Sequence, residues 1–294
     1  MICRQPMRCW PSWAEALVGR RMALTMDELL DAARWRGDEP ADRLIESLVK
    51  DVDPEHLLDY LQNTARLCST MHLENEPGHP GDPMHSRRAP PEFEAFLATS
   101  CQAPAWLDPQ RVARGAELFR LHVAAASLAL GAASLPTCYC WTREAQVLIL
   151  TQRLARDVPR RILETAQFVL DVMSRDGLRL GLPYARGVRA VQKVRLLHAV
   201  VRYILRHREA MYAVALRQHG AASPAELMRA GHANPWLGLL MPGSPDETQA
   251  APTQALVPIN QEELAGTLLT FSPVCSSSCA SMPSRWPTRV QECR

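Results

Sequence analysis

AVQKVRLLHAVVRYILR (Ala190–Arg206) is the stretch that decides the fold. On a helix of 3.6 residues per turn, Val191, Val194, Arg195, His198, Val201, Arg202 and Leu205 share one broad face. That period is helical, and no strand fits it. Working upstream, SRDGLRLGLPYARG (Ser174–Gly187) is a Gly/Pro-rich break. Before it, RRILETAQFVLDVM (Arg160–Met173) is a second helix-forming run.

Further helices are expected on both sides. TMDELLDAARW opens with Thr25, and Glu28 follows three residues later, the spacing of a capping box. ADRLIESLVKD and DPEHLLDYLQNTARL continue the pattern as a small helical lobe or as cover for the main domain. Residues 1–69 are read as this N-terminal helical region, and residues 70–92, rich in Pro, Gly, His and charge, as a linker or mobile loop. From 93 to 272 the helical signal is strong. It includes Asp108–Pro136, EAQVLILTQR (Glu144–Arg153), a continuation of the central helix through Leu205–Leu216, a capped SPAELMRAG at Ser223, and QEELAGTLLTFS. Residues 233–256 read as a Pro/Ala/Gln-rich loop. With no β alternation and no repeat, the expected class is all-α.

Residues 273–294, PVCSSSCASMPSRWPTRVQECR, have no helical period. They read either as a disordered tail or as sequence from an altered reading frame, and the abrupt change of character favours the second.

Composition narrows the partners. Hydrophobic residues make up 47% of the 294, enough for a substantial core, and the formal net charge is only +2. Residues 151–210 hold 13 Lys/Arg against five Asp/Glu, a local excess of 13 − 5 = +8. Such an excess suits an acidic cofactor or an anionic lipid surface. Nucleic acid is not favoured, because no aromatic residues interleave with the charge and no basic tail is present. The Ala, Gly and Ser residues of Asp108–Pro136 permit close helix packing, but its apolar part is too short and interrupted for a stable membrane span. Nine irregularly spaced cysteines do not form a disulfide framework, and Cys138-Tyr139-Cys140 lacks the second pair that zinc requires. No signal-peptide pattern is seen, so a cytoplasmic location is the expectation.

The histidine carries the functional question. Unpaired arginines on an apolar face are costly, so Arg195 and Arg202 need acidic partners. Cofactor carboxylates would serve, because guanidinium and carboxylate pair bidentately. One imidazole, His198, suffices to ligate haem iron, whereas zinc takes three or four protein ligands. The ordinary alternative is a buried histidine with both arginines paired to Asp or Glu. On the preceding helix Arg161, Thr165, Phe168 and Val172 lie along one face, flanked by Glu164. Thr165 can donate a hydrogen bond to bound oxygen or water, Arg161 can position an anion, and Phe168 and Val172 can form apolar walls. Glu144 and Glu164 are candidate bases if burial raises their pKa values. Each also has a commonplace structural role.

TQRLARDVPRRILETAQFVLDV, the turn DGLRLGLPYARG and KVRLLHAVVR resemble the rubber oxygenase/MpaB-type family, which includes latex clearing protein. PINQEELAGTLLTF and the LP…Y region at Leu135–Tyr139 are similar to further parts of it, so the likeness covers about residues 95–272. The resemblance implies an all-helical, globin-like core with additional helices around haem b. His198 would be the proximal iron ligand, and Arg195 would lie on the propionate side. Arg161 and Thr165 would stand on the distal side, and Glu144 lies near the family's catalytic glutamate with a spacing that differs by one residue. In latex clearing protein a lysine precedes the distal threonine; here Glu164 stands there, which sets substrate and resting coordination apart. No CxxCH occurs, in keeping with noncovalent haem. The implied activity is haem-dependent insertion of dioxygen into a lipophilic, isoprenoid-type substrate. The contrasting expectations are an inactive truncated homologue and a non-catalytic helical protein whose basic face makes peripheral contact with anionic lipid.

Overall fold

The computed structural model describes residues 25–70, 91–139, 158–179, 185–230, 234–241 and 257–271. In chain order the helices are α1 (Met26–Arg34), α2 (Glu39–Val49), α3 (Leu57–Thr70), α4 (Pro91–Ser100), α5 (Pro109–Leu121), α6 (Val123–Ala129) and α7 (Leu135–Tyr139). They continue with α8 (Val158–Val172), α9 (Arg186–Arg206), α10 (Arg208–Gln218), α11 (Pro224–Ala230) and α12 (Gln261–Leu269). A π-helical turn, Leu130–Ser134, joins α6 to α7, and a 3-10 helix spans Pro235–Leu240. The described residues contain no strand, so the class is all-α as expected. The helix expected at Glu144–Arg153 and the tail beyond 272 lie outside the described residues.

α9 is the central helix. It packs against α2, α3, α4, α8, α10 and the 3-10 helix. Its most deeply buried row is Leu196, Val200 and Ile204, spaced four apart, with Ala199 beside them. This row points almost opposite to the face that carries His198. Both faces are covered because α9 has neighbours all round, the usual fate of a helix apolar on more than one side. Leu44, Ile45 and Val49 of α2, Leu61 of α3, Phe96 of α4, Met211 of α10 and Leu227 of α11 complete the core. Each such Leu or Ile taken out of water contributes about 1.5–3 kcal/mol before conformational entropy is charged against it.

The N-terminal helices therefore cover α9 rather than standing off as a lobe. Local chemistry sets their starts. Thr25 and Glu28 form the expected capping box on α1. Asp38 caps α2 by accepting from the Ala41 amide at 3.4 Å, with Pro40 in the first turn. α12 carries a second capping box, Asn260 with Glu263, and packs on α1. Arg34 grips Glu262 through Nε at 2.5 Å and Nη2 at 2.9 Å. The Gln261 amide donates to the Arg36 carbonyl at 2.9 Å.

Three elements differ from expectation. The central helix does not continue through Leu216: His207 leaves helical geometry at φ −108°, ψ 15°, and α10 restarts at Arg208. Residues 234–241 are not loop. Asn234 caps the 3-10 helix by accepting from the Trp236 amide at 3.0 Å, and Leu237, Leu239 and Leu240 are core. The run Asp108–Pro136 is broken at His122, so that α5 and the α6–α7 segment meet at 89°. Among the described residues no single helix is long and apolar enough to cross a membrane.

Candidate functional site

The α8–α9 pair is set by a close backbone approach at its turn. A Cβ on Gly187 would lie 2.6 Å from the Gly177 carbonyl oxygen and 2.8 Å from the Val172 Cα. The Val188 amide donates to that same carbonyl at 2.9 Å. Asp171 is buried beside the turn; it accepts from Gln167 Nε2 at 2.9 Å and pairs with Arg186 at 3.0 Å. From this clamp the two helices run back antiparallel. Arg161 is eleven positions before Val172 (172 − 161), and His198 is eleven after Gly187 (198 − 187). Equal rise along both helices puts those two side chains level. The electrostatics agree, since the Arg161 charge acts on the His198 ring.

His198 is partly exposed, and among the described residues no hydrogen bond to its ring nitrogens is found. Its pKa is pushed down to about 4. Burial is the main cause, followed by the positive charges of Arg202 and Arg161, while Asp38 pulls the other way. The ring is desolvated while the residue as a whole keeps some exposed surface. At neutral pH it is an uncharged imidazole with a free lone pair.

The two arginines of the same helix are held differently from the cofactor-carboxylate expectation. Arg195 forks onto Asp38, with Nε to Oδ2 at 2.6 Å and Nη2 to Oδ1 at 2.9 Å, and its guanidinium lies over the Phe96 ring at 5.0 Å. Arg202 is fully buried; Nε donates to Asp42 Oδ1 at 2.8 Å and Nη1 to the Ile259 carbonyl at 3.1 Å. The ordinary alternative, arginines paired to aspartates, is what the structure contains. One donor is left over, because Arg202 Nη2 is buried with no hydrogen-bond partner.

The two carboxylates respond in opposite senses. For Asp38, burial alone raises the pKa, but the hydrogen bonds and charge of Arg195 outweigh it and the net shift is downward. For Asp42, burial dominates the attraction of Arg202 and Arg206, and the net shift is upward.

The remaining candidates separate. Thr165 and Phe168 are partly buried on α8, the helix packed on α9. Glu164 is exposed and pairs with Arg160 at 3.0 Å, so the burial that would make it a strong base is absent. Glu144 lies outside the described residues. Cys138 is buried with Sγ 2.8 Å from Thr270 Oγ1, and among the described residues no group of three or more His, Cys, Asp or Glu is placed to hold a metal ion. Asp38 and Asp42 were not singled out from sequence. The signal for them was present: buried arginines demand carboxylates, and Asp38 precedes Glu39-Pro40, a helix-start pattern.

Comparisons with family models, with curated proteins and with solved structures find no match to this chain.

Proposed function

We propose that the chain is a haem b-dependent, oxygenase-like protein of globin-like helical arrangement that acts on a lipophilic, isoprenoid-type substrate with dioxygen. The observation that carries the reading is the His198 imidazole, neutral, without a hydrogen-bond partner among the described residues and within reach of the Arg161 charge. The residues fit a haem at two points. A neutral imidazole is the form that ligates iron. The unpartnered Arg202 Nη2, one helical turn from His198, is a buried donor that a propionate carboxylate would satisfy. Arg195 is already committed to Asp38, so propionate pairing would rest on Arg202 alone.

When bound, haem supplies dioxygen activation. The chain's own contributions follow from its side chains. Low basicity keeps His198 unprotonated through the neutral range. Arg161 holds a positive charge near it that favours an anionic or polarised group. Thr165 supplies a hydroxyl proton for a hydrogen bond, and Phe168 and Val172 supply apolar surface that excludes water.

The competing reading is an inactive homologue or a non-catalytic helical protein. It is favoured by the Arg195–Asp38 and Arg202–Asp42 pairs, which satisfy most of the arginines' needs within the chain. One experiment divides the two. The purified chain, given added haem, is expected to develop a Soret band that His198→Ala abolishes. A folded protein that stays colourless, or a band unaffected by the substitution, refutes the haem reading.

A further inference from the structure

We propose that the bent α5–α7 unit docks on the surface of an anionic lipid bilayer, independently of any bound cofactor. Residues 123–139 form a continuous helical run, α6, π turn and α7, with no charged side chain in seventeen positions (139 − 123 + 1). One side of it is buried through Ala126, Ala129, Ser134 and Cys138, and Cys138 meets Thr270 of the segment that follows α12. The other side carries exposed apolar residues. Leu128 is 61% exposed, Val123 39%, and a Cβ placed on Gly131 would meet nothing within 4 Å. At the elbow Leu121 is 70% exposed.

The charge pattern selects the occupant. On α5, Arg111, Arg114 and Leu121 sit at spacings of three and seven, along one stripe that ends at the elbow. Arg111 has 89% of its side chain exposed while pairing with Asp108 at 3.4 Å, and Arg114 is also exposed. Glu117 lies on the same stripe, between Arg114 and Leu121. Trp106, just before α5, is 46% exposed. A charge-free apolar arm, an adjoining arginine-bearing arm and a nearby tryptophan match what a helix lying in the headgroup region of an anionic membrane requires. The 89° bend rules out a straight crossing of the bilayer.

Vesicle co-sedimentation tests this with the full chain. Vesicles of phosphatidylcholine mixed with phosphatidylglycerol should bind it, those of phosphatidylcholine alone should bind it much less, and added salt should weaken the association. L121E combined with L128E should lower the partition coefficient by roughly tenfold or more, since both leucines lose their apolar transfer. R111E combined with R114E should erase the preference for anionic vesicles. Quenching of tryptophan fluorescence by brominated phosphatidylcholine, with the quenched component lost in Trp106→Phe, gives a readout that needs no charged substitution. Absence of binding to anionic vesicles overturns the proposal. So does binding indifferent to both leucine changes, or a concentration-dependent dimer that Leu128→Glu dissolves.

Discussion

Arg202 of α9 and Asp42 of α2 meet at 2.8 Å, where the guanidinium has no exposed surface and the carboxylate side chain is 12% exposed. The same arginine reaches the carbonyl of Ile259, a β-branched residue at φ +51°. That backbone region is costly for such a side chain. It is held there by Arg202 on one side and by the Asn260 capping box on the other. One buried cation thus fastens the N-terminal helices, the central helix and the entry to α12.

Removing that cation is therefore expected to be severe. Arg202→Met leaves Asp42 desolvated without its hydrogen-bonded partner, and a loss of about 3–5 kcal/mol is expected in urea unfolding. Arg202→Met combined with Asp42→Leu should recover most of it, because the unpaired charge is then gone. Equal losses in the single and double variants would show that the pair does not set the cost.

Gly37 makes room for the same pair. A Cβ at this position would lie 2.5 Å from Asp42 Oδ2 and 3.2 Å from Arg202 Nε. Gly37→Ala is expected to push the carboxylate away and to destabilise by about 1–2 kcal/mol. In the Arg202→Met/Asp42→Leu background the penalty should shrink, and a double-mutant cycle measures the difference.

The turn between α8 and α9 leaves no such flexibility. At Gly187 the obstructing atoms are backbone, the Gly177 carbonyl and the Val172 Cα. Gly187→Ala should therefore cost about 2–3 kcal/mol and shift α8 along or away from α9. Circular dichroism should keep its helical content while the thermal midpoint falls by several degrees. An unchanged midpoint would contradict the close approach.

Acid should act through His198. Its folded pKa of about 4 lies below the ordinary 6.5, so between those values the unfolded chain binds the extra proton. Stability from this group is fully present above pH 6.5 and is lost as pH falls toward about 4. The shift corresponds to about 3 kcal/mol. Asp38, with its lowered pKa, adds a loss at still lower pH, whereas Asp42, with its raised pKa, opposes the trend. Unfolding free energies measured across the window should slope by up to one proton, and His198→Leu should flatten that slope. A variant as steep as the parent would place the titrating group elsewhere.

Period and caps carried much of the fold. The runs at Thr25, Arg160, Ala190, Ser223 and Gln261 are long enough, or capped clearly enough, for their helical state to be legible residue by residue. PWLGLL is six residues long, too short for any period, so its place in the core was not. The break at His207 was equally hidden, because neither Gly nor Pro marks it.

What the sequence determined by itself is the all-α class, the two helical runs on either side of the Ser174–Gly187 break and the need for anions near Arg195 and Arg202. These follow from local energetics: hydrophobic period, capping and the cost of burying charge. Only the tertiary structure decided which anions those are, because Asp38 and Asp42 lie some 160 positions away in the chain (195 − 38 = 157; 202 − 42 = 160). It also decided that the His198 ring is desolvated near the charges of Arg202 and Arg161, with no hydrogen bond among the described residues. Desolvation and pairing depend on which helices pack together, and packing across such separations leaves no periodic trace in either segment alone.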